Sequence, residues 1–568
     1  MKDIAKVFES EILVVGGGGA GCYAALRARD YSDNVIIASK GYVGPGSVSA
    51  TLGGGINICF PEDDKRLWME ELVERGEYLN DQEWVKIQLE EVFPLTTELD
   101  KWGMGYGLKI FEKDEQGKLL RRKARGNINT LTTMVHGFPL METLRKKVLE
   151  KQVKLVERVM VTDLLMKDGR VVGALGFDYR QGEFYLFKAK AVILAGGGCS
   201  FKISLCSPAA ACTGEAQQMA YEAGAALRNI DQAMSQSNPK AIEMHGMTLF
   251  AGVGGKFLNG RGEEFMLHYD PKVGSRARLT KLVIGMAKEV EAGRGPIFMD
   301  LTGTSPKDQE MLRTVLPEPM RAFASAHIDP FKERIPWTPV IFGTQTHGGG
   351  VHIDTHCATN VPGLYAAGDT TCTPEHGTWS ITGLNIAFAM LSGYRAGEFA
   401  SLYAQAIAPD WQESEVRDQV RQSIDRTTAP IKRAKGVCSD ELVQKIWQII
   451  TPYKVCYLRN EERLSEALAK LAGLRDEFLP QVRAGDLHGL VKAVEVRSMF
   501  TIAEIILQSV LFRRESRGFV FREDYPLTDN INWLKWIMVK KEGARMKVWA
   551  EEFPTPYINP PREIYPPR

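Results

Sequence analysis

Glu11-Ile-Leu-Val-Val-Gly-Gly-Gly-Gly-Ala-Gly-Cys22 decides the fold: strand-forming apolar residues pass through a glycine turn into the helix-forming Tyr23-Ala-Ala-Leu-Arg-Ala-Arg29. Gly16 lets the chain turn, Gly18 with Gly19 and Ala20 lets backbone approach a pyrophosphate, and Gly21 lets the helix lie close on the strand. The first helical N–H groups and the positive end of the helix dipole then face the anion. Such a turn also serves plain tight packing, so its meaning depends on partners elsewhere in the chain.

Two partners lie far away in sequence. Ala189-Lys-Ala-Val-Ile-Leu-Ala-Gly-Gly-Gly198 is a second apolar strand ending in glycines, followed by the helix-forming stretch after Thr213-Gly-Glu215. Val361-Pro-Gly-Leu-Tyr-Ala-Ala-Gly-Asp369 is the third. Three such switches, the last ending in Gly368-Asp369, point to FAD rather than NAD, because the longer flavin dinucleotide needs an acidic acceptor for its ribityl hydroxyls. Lys40 ends the second strand, where an acid usually holds the adenosine ribose.

A chain of 568 residues has room for roughly three or four domains. Lys+Arg 71 against Asp+Glu 70 leaves a net charge of +1, which gives no pointer to nucleic acid or an anionic membrane. The nine cysteines contain no C-x-x-C pair, arguing against an iron–sulfur or structural zinc site in this chain and for a reducing compartment. The charged start and the lack of any run near ~18 apolar residues lead us to expect a cytoplasmic protein without a membrane span.

The pattern predicts an α/β protein: a Rossmann-like FAD-binding domain with an inserted α+β capping domain and a C-terminal helical domain. We place the FAD-binding domain at 1–235 and 346–408, the cap at 236–345, the helical domain at 409–510, and an extended arm at 511–568. Within the cap, Phe257-Leu-Asn-Gly-Arg-Gly262 reads as a hairpin-like turn and Leu279 to Ala292 as a helix. The prolines of Tyr557–Arg568 favour an extended tail.

Several stretches together resemble the flavoprotein subunits of succinate dehydrogenase and fumarate reductase, with adenylylsulfate reductase alpha subunits more distant. They are the opening glycine turn, Thr51-Leu-Gly-Gly-Gly-Ile-Asn57, Thr213-Gly-Glu215, Gly255–Phe265, Gly293–Asp300, Leu364–Asp369 and Arg514–Pro526. The resemblance implies FAD contacts from Ser39, Lys40, Ser47, Gly54, Gly55, Ala195, Gly196, Gly197, Thr213, Gly368, Asp369, Gly383, Leu384 and Asn385. No metal is implied.

The departures from the family pattern matter as much. Covalently flavinylated members carry a histidine where this chain has Val48, which implies non-covalent FAD. The family's His-Pro-Thr at the cap entrance falls on Asn238-Pro239-Lys240, and its second histidine falls on Gln345, with His347 two residues later. Its substrate-clamping arginine faces Glu375-His-Gly-Thr-Trp-Ser-Ile-Thr-Gly-Leu-Asn385, which has no arginine. Losing a bidentate guanidinium costs on the order of a few kcal/mol of carboxylate binding, so a dicarboxylate substrate is disfavoured. Arg276 and Arg278 stand at the spacing of the family's proton-shuttling arginine, and an arginine can shuttle protons only beside a carboxylate or second base. His376 and Cys372 match family positions on the loop after Asp369, and Trp379 is placed to meet substrate or to fill the lid.

The resemblance therefore implies an FAD-dependent oxidoreductase that passes two electrons between a non-dicarboxylate substrate and an iron–sulfur partner subunit. Two other readings compete: an adenylylsulfate reductase-like enzyme, and a flavin electron-relay subunit without substrate.

Overall fold

The computed structural model describes residues 4–51, 53–123, 127–203, 209–240, 242, 249–344, 348–378, 381–407 and 411–567. Its central sheet has Ile4–Val15 between Val35–Ser39 and Glu183–Leu194, all parallel, with Lys154–Glu157 at one edge. The opening strand starts earlier than its apolar run suggests. Phe8 and Ser10 are buried while Val7 and Glu9 are exposed, the alternation of a strand with one solvated face. The first half of Glu183–Leu194 pairs antiparallel with Arg170–Asp178, which continues to Val159–Lys167; its second half pairs parallel with Leu364–Ala366.

That arrangement aligns the three glycine switches. Val15 and Ala366 both stand opposite Leu194, so the turns at Gly16, Gly196 and Gly368 leave the sheet at one level. Helices Gly19–Ala28 and Leu384–Ala406 cross closely because Gly393 and Gly397 give them no side chains to separate them. A Cβ at either position would come within 2.3 Å of a backbone oxygen, of Ala20 or Ala24.

The cap is a four-stranded antiparallel sheet in the order Met234–Pro239, Ile335–Gly343, Ile297–Asp300, Lys256–Leu258. Helix Leu279–Glu291 packs on it around Phe250, Phe257, Met286 and Trp337. The expected local hairpin at Phe257 is corrected. Lys256–Leu258 pairs with the distant Ile297–Asp300 strand, because Asn259 turns the chain away by accepting the N–H groups of Arg261 and Glu263 on its side-chain oxygen.

Helices Arg417–Lys432, Ser439–Ile450, Glu461–Phe478 and Leu487–Phe512 form the helical region. The expectation of an extended arm from 511 onward also needs correction. Trp536–Glu542 and Arg545–Glu551 form a hairpin around Gly543 (φ 61°) and join Leu227–Arg228 in a sheet. Prolines concentrate only beyond it. There Ile564–Tyr565 pairs with Thr528–Asp529.

Candidate active site

The three aligned turns open into a cavity of about 300 Å³. It is lined by Gly16, Gly18, Gly19, Ala20, Ser39, Lys40, Ser47, Ala195, Gly196, Gly197, Gly368, Asp369, Gly383 and Asn385, all of which the sequence had pointed to. Gly16 is held at φ 119°, and a Cβ there would stand 2.2 Å from the Ala195 oxygen. Gly18 caps the first helix with no side-chain hydrogen bond, and a Cβ on it would meet nothing closer than 3.7 Å.

Five expected contacts do not line the cavity. Gly21 is a packing glycine, whose Cβ would lie 2.0 Å from the Gly16 oxygen. Gly55 serves strand pairing, with Thr132 2.1 Å from its would-be Cβ, and Gly54 (φ 98°) opens onto free space. Thr213 is buried and donates its hydroxyl to Glu215, while Leu384 packs in an apolar cluster with Trp68 and Ile381. The sequence reading missed Ser49, Met160, Cys212 and Glu215, which also line the cavity, as does Val48. Nothing in the sequence pattern distinguishes Met160 from its strand neighbours.

Lys40 does not substitute for the ribose-binding acid in isolation. Its ammonium meets Glu215 at 2.8 Å and Glu495 at 3.0 Å, and Glu495 also holds Lys202 at 2.8 Å. Burial alone would depress the Lys40 ammonium, yet the two carboxylates hold it above its ordinary value. One cavity wall is thus a fixed charge lattice reaching into the helical region.

The structure fits an FAD. The Gly19–Ala28 helix presents N–H groups with no side-chain acceptor among the described residues beyond Ser49, whose hydroxyl takes the Gly19 N–H at 3.3 Å. Asn385 donates to the Asp369 carboxylate at 2.8 Å, while its own buried carbonyl oxygen has no donor among the described residues. A pyrophosphate and ribityl hydroxyls supply the complementary groups.

Beside this cavity, the loop after Asp369 packs on the turn that ends helix Lys65–Arg75. Asn80 donates to the Glu375 carbonyl at 2.6 Å, and a Cβ on Gly377 would lie 2.3 Å from the Gly76 oxygen. His376 is fully buried, its Nε2 3.5 Å from the Glu375 carboxylate. Burial pushes Glu375 well above the usual carboxylate range, and both its oxygens lack a hydrogen-bond donor among the described residues. Cys372 is buried and bonded through its backbone to Val351. Neither His376 nor Cys372 lines the dinucleotide cavity.

The two candidate arginines separate clearly. Arg276 is exposed in the short turn Gly274–Arg276, whereas Arg278 is half-buried and caps helix Leu279–Glu291. Arg278 lies within electrostatic reach of Arg75 and Glu77. Burial raises the Glu77 carboxyl above its ordinary range, while Arg517 and Arg278 oppose the rise. Sequence reasoning overlooked Arg75 and Glu77. Their one signal is the left-handed pair Glu77 and Tyr78 (φ 52° and 62°), which no glycine announces. Asn238 is buried on its cap strand, its carbonyl oxygen without a donor among the described residues, and does not line the cavity. Gln345, His347 and Trp379 lie outside the described residues.

Fold and cradle together define an FAD-binding protein. Residues 11–386 match the family model described as FAD binding domain, and residues 445–565 match fumarate reductase flavoprotein C-term. The chain belongs to the fumarate reductase/succinate dehydrogenase flavoprotein family and is an FAD-dependent oxidoreductase. It is similar to a fumarate reductase (CoM/CoB) subunit of Methanothermobacter marburgensis, 28% identical over 95% of this chain and 98% of the relative. The fumarate reductase flavoprotein subunit of Mycobacterium tuberculosis is 27% identical over 94% and 95%. Among solved structures, E. coli quinol fumarate reductase shares the fold with a TM-score of 0.88 at 22% identity, covering 98% of both chains. Archaeoglobus fulgidus adenylylsulfate reductase follows with a TM-score of 0.79 at 22% identity, covering 97% and 96%. No helix among the described residues is long and apolar enough to cross a membrane.

Proposed function

We propose that this chain binds FAD non-covalently and exchanges two electrons between a substrate carrying at most one carboxylate and an iron–sulfur partner subunit. The observation that carries the reading is the half-buried Arg278 within electrostatic reach of Glu77 and Arg75, together with a loop after Asp369 that holds no arginine where the family's clamping one would stand. A bound flavin supplies the hydride acceptor or donor. The protein's own part is proton handling and charge placement. Glu77, raised by burial, is the neighbouring acid that lets a guanidinium relay a proton, and Arg75 and Arg278 stabilise negative charge on the substrate. Val48, which lines the cavity, offers no nucleophile for a flavin bond.

Anaerobic titration of the photoreduced FAD-loaded protein tests the substrate. A monocarboxylic enoate reoxidises the flavin, and fumarate fails to do so at comparable concentration. Steady-state fumarate turnover would overturn the reading and favour the activity for which the Methanothermobacter relative is named. Arg278→Ala is expected to lower turnover by at least ~10²-fold while FAD content stays unchanged; normal turnover would remove Arg278 from the mechanism. Acid precipitation should leave the flavin in the supernatant.

A further inference from the structure

Helix Lys65–Arg75 carries two arginines with opposite surroundings. The Arg66 side chain is 82% exposed and donates to Glu70 at 2.9 Å, an ordinary surface pair. Arg75, the last residue of the helix, keeps only 15% of its side-chain exposure. A helix C-terminus attracts a cation, but a side chain lying in solvent receives that attraction equally. Burial here removes hydration, and together with the Arg278 charge it lowers the guanidinium from its ordinary value.

No hydrogen bond within the described residues offsets that lost hydration. Glu71 comes only to 3.9 Å, because its two oxygens accept the N–H groups of Ile128, Asn129 and Thr130, each at 2.7 Å. Glu71 and Glu74 do offset the Arg75 charge through space; what stays unused is its set of N–H donors. None of the Arg75 nitrogens is among the sealed polar atoms, so they remain open to solvent. Arg278 is in the same condition, half-buried with open nitrogens and no side-chain hydrogen bond among the described residues.

The position of Arg75 gives those donors a use. Thr378, on the loop after Asp369, donates its N–H at 3.1 Å to the carbonyl of Gly76, the residue next to Arg75. The loop that has no arginine is therefore bonded to the turn that begins with one. We propose that Arg75 anchors the substrate's single carboxylate, in place of the clamp that the loop after Asp369 lacks. This rests on the monocarboxylate reading above and makes Arg75 the residue that sets its specificity. A guanidinium offers a carboxylate two parallel N–H donors, which an ammonium cannot reproduce.

The test uses the FAD-loaded full chain, with butyrate and benzoate as probes and butyramide and benzamide as their neutral counterparts. Calorimetry and the flavin absorption spectrum report binding without turnover. At least one acid should bind the parent chain and move the spectrum, with its amide at least ~10-fold weaker. Arg75→Met should weaken the acid at least ~10-fold and leave the amide unchanged, so that the preference for acid disappears at constant FAD content. Arg75→Lys should bind the acid with intermediate affinity. The proposal is overturned if neither acid binds, if acid and amide bind the parent equally, if binding leaves the spectrum unmoved, or if Arg75→Met preserves the preference for acid. Equal weakening of acid and amide would mark a merely structural arginine and overturn it as well. Should the methionine variant not fold, parent affinity in Arg75→Lys overturns it alone. A parent chain that turns over fumarate, yet loses acid binding in Arg75→Met, breaks the monocarboxylate reading and upholds the Arg75 anchor.

Discussion

The glycine cradle and the seam beneath the cap solve opposite problems. In the cradle, side chains are removed so that backbone can meet a ligand: Gly16, Gly18 and Gly196 line the cavity with N–H and C=O groups. In the seam, charge is packed where no water reaches. Asp231, Arg513, Glu515 and Arg517 all have fully buried side chains, joined at 2.5 Å (Arg513–Asp231), 2.8 Å (Arg513–Glu515) and 2.8 Å (Arg517–Glu515). Two cations offset two anions, and Arg517 also donates to the Glu77 carbonyl at 2.8 Å and to Asn530 at 2.7 Å. At Gly16 the cradle tolerates no added atom; the seam tolerates no missing partner. Because the seam reaches Glu77, it also fixes the carboxylate that Arg278 faces.

The sharpest way to break the cradle is Gly16→Val. Its Cβ would collide with the Ala195 backbone at 2.2 Å, and neither strand can yield without leaving the sheet. We expect a loss of ~4 kcal/mol or more, with apoprotein recovered in inclusion bodies. A soluble, yellow variant would show that the two turns move independently.

The seam's counterpart is Arg517→Met. It strands Glu515 beside Arg513 and releases the Glu77 carbonyl, so denaturant unfolding should show a loss of about 3–5 kcal/mol. Turnover should fall further than FAD content, because the turn carrying Glu77 shifts. If stability falls but turnover per bound flavin holds, the seam does not position Glu77.

The cap offers a milder test of buried charge. Glu289 accepts both Arg294 donors at 2.8 and 2.7 Å, Asn259 at 2.9 Å and the Tyr269 hydroxyl at 2.8 Å. The Arg294 guanidinium chiefly holds its carboxyl down at about 2, against an ordinary 4.5. Since the folded pKa is depressed, the stability it contributes is present above 4.5 and lost as pH falls toward 2. Glu289→Gln should cost about 1–3 kcal/mol at pH 7 and flatten the acid limb of the Tm–pH curve; an unchanged acid limb would place the acid sensitivity elsewhere.

These differences also explain what was legible in the sequence. Gly16, Gly196 and Gly368 announce themselves because a turn leaving a buried strand is a local backbone requirement. Gly21 is legible as the packing glycine it is, whereas Gly55 announces itself for the same reason as the cradle glycines yet serves strand pairing. Arg278 could be singled out by spacing, but its neighbours Arg75 and Glu77 sit at the end of a distant helix and on the turn after it, where only three-dimensional packing joins them to the cap. Arg517 was visible as part of the Arg514–Pro526 stretch, and its role as a buried counter-ion was not. The hairpin Trp536–Glu551 was overlooked because the prolines that follow it dominated the reading of the C-terminal stretch.

The smallest effect expected is the most discriminating for the cradle. Gly18 has an ordinary φ of −79°, and a Cβ there projects into the cavity with no protein atom closer than 3.7 Å. Gly18→Ala should therefore leave the apoprotein within ~0.5 kcal/mol of the parent. The same methyl occupies space that a pyrophosphate needs beside the helix N-terminus, so FAD affinity should fall roughly tenfold, about 1.4 kcal/mol. Fluorescence titration of apoprotein with FAD measures it. Unaltered affinity would mean that the dinucleotide runs along the Gly196–Gly197 side of the cavity, leaving Gly18 to serve only the entry of the helix.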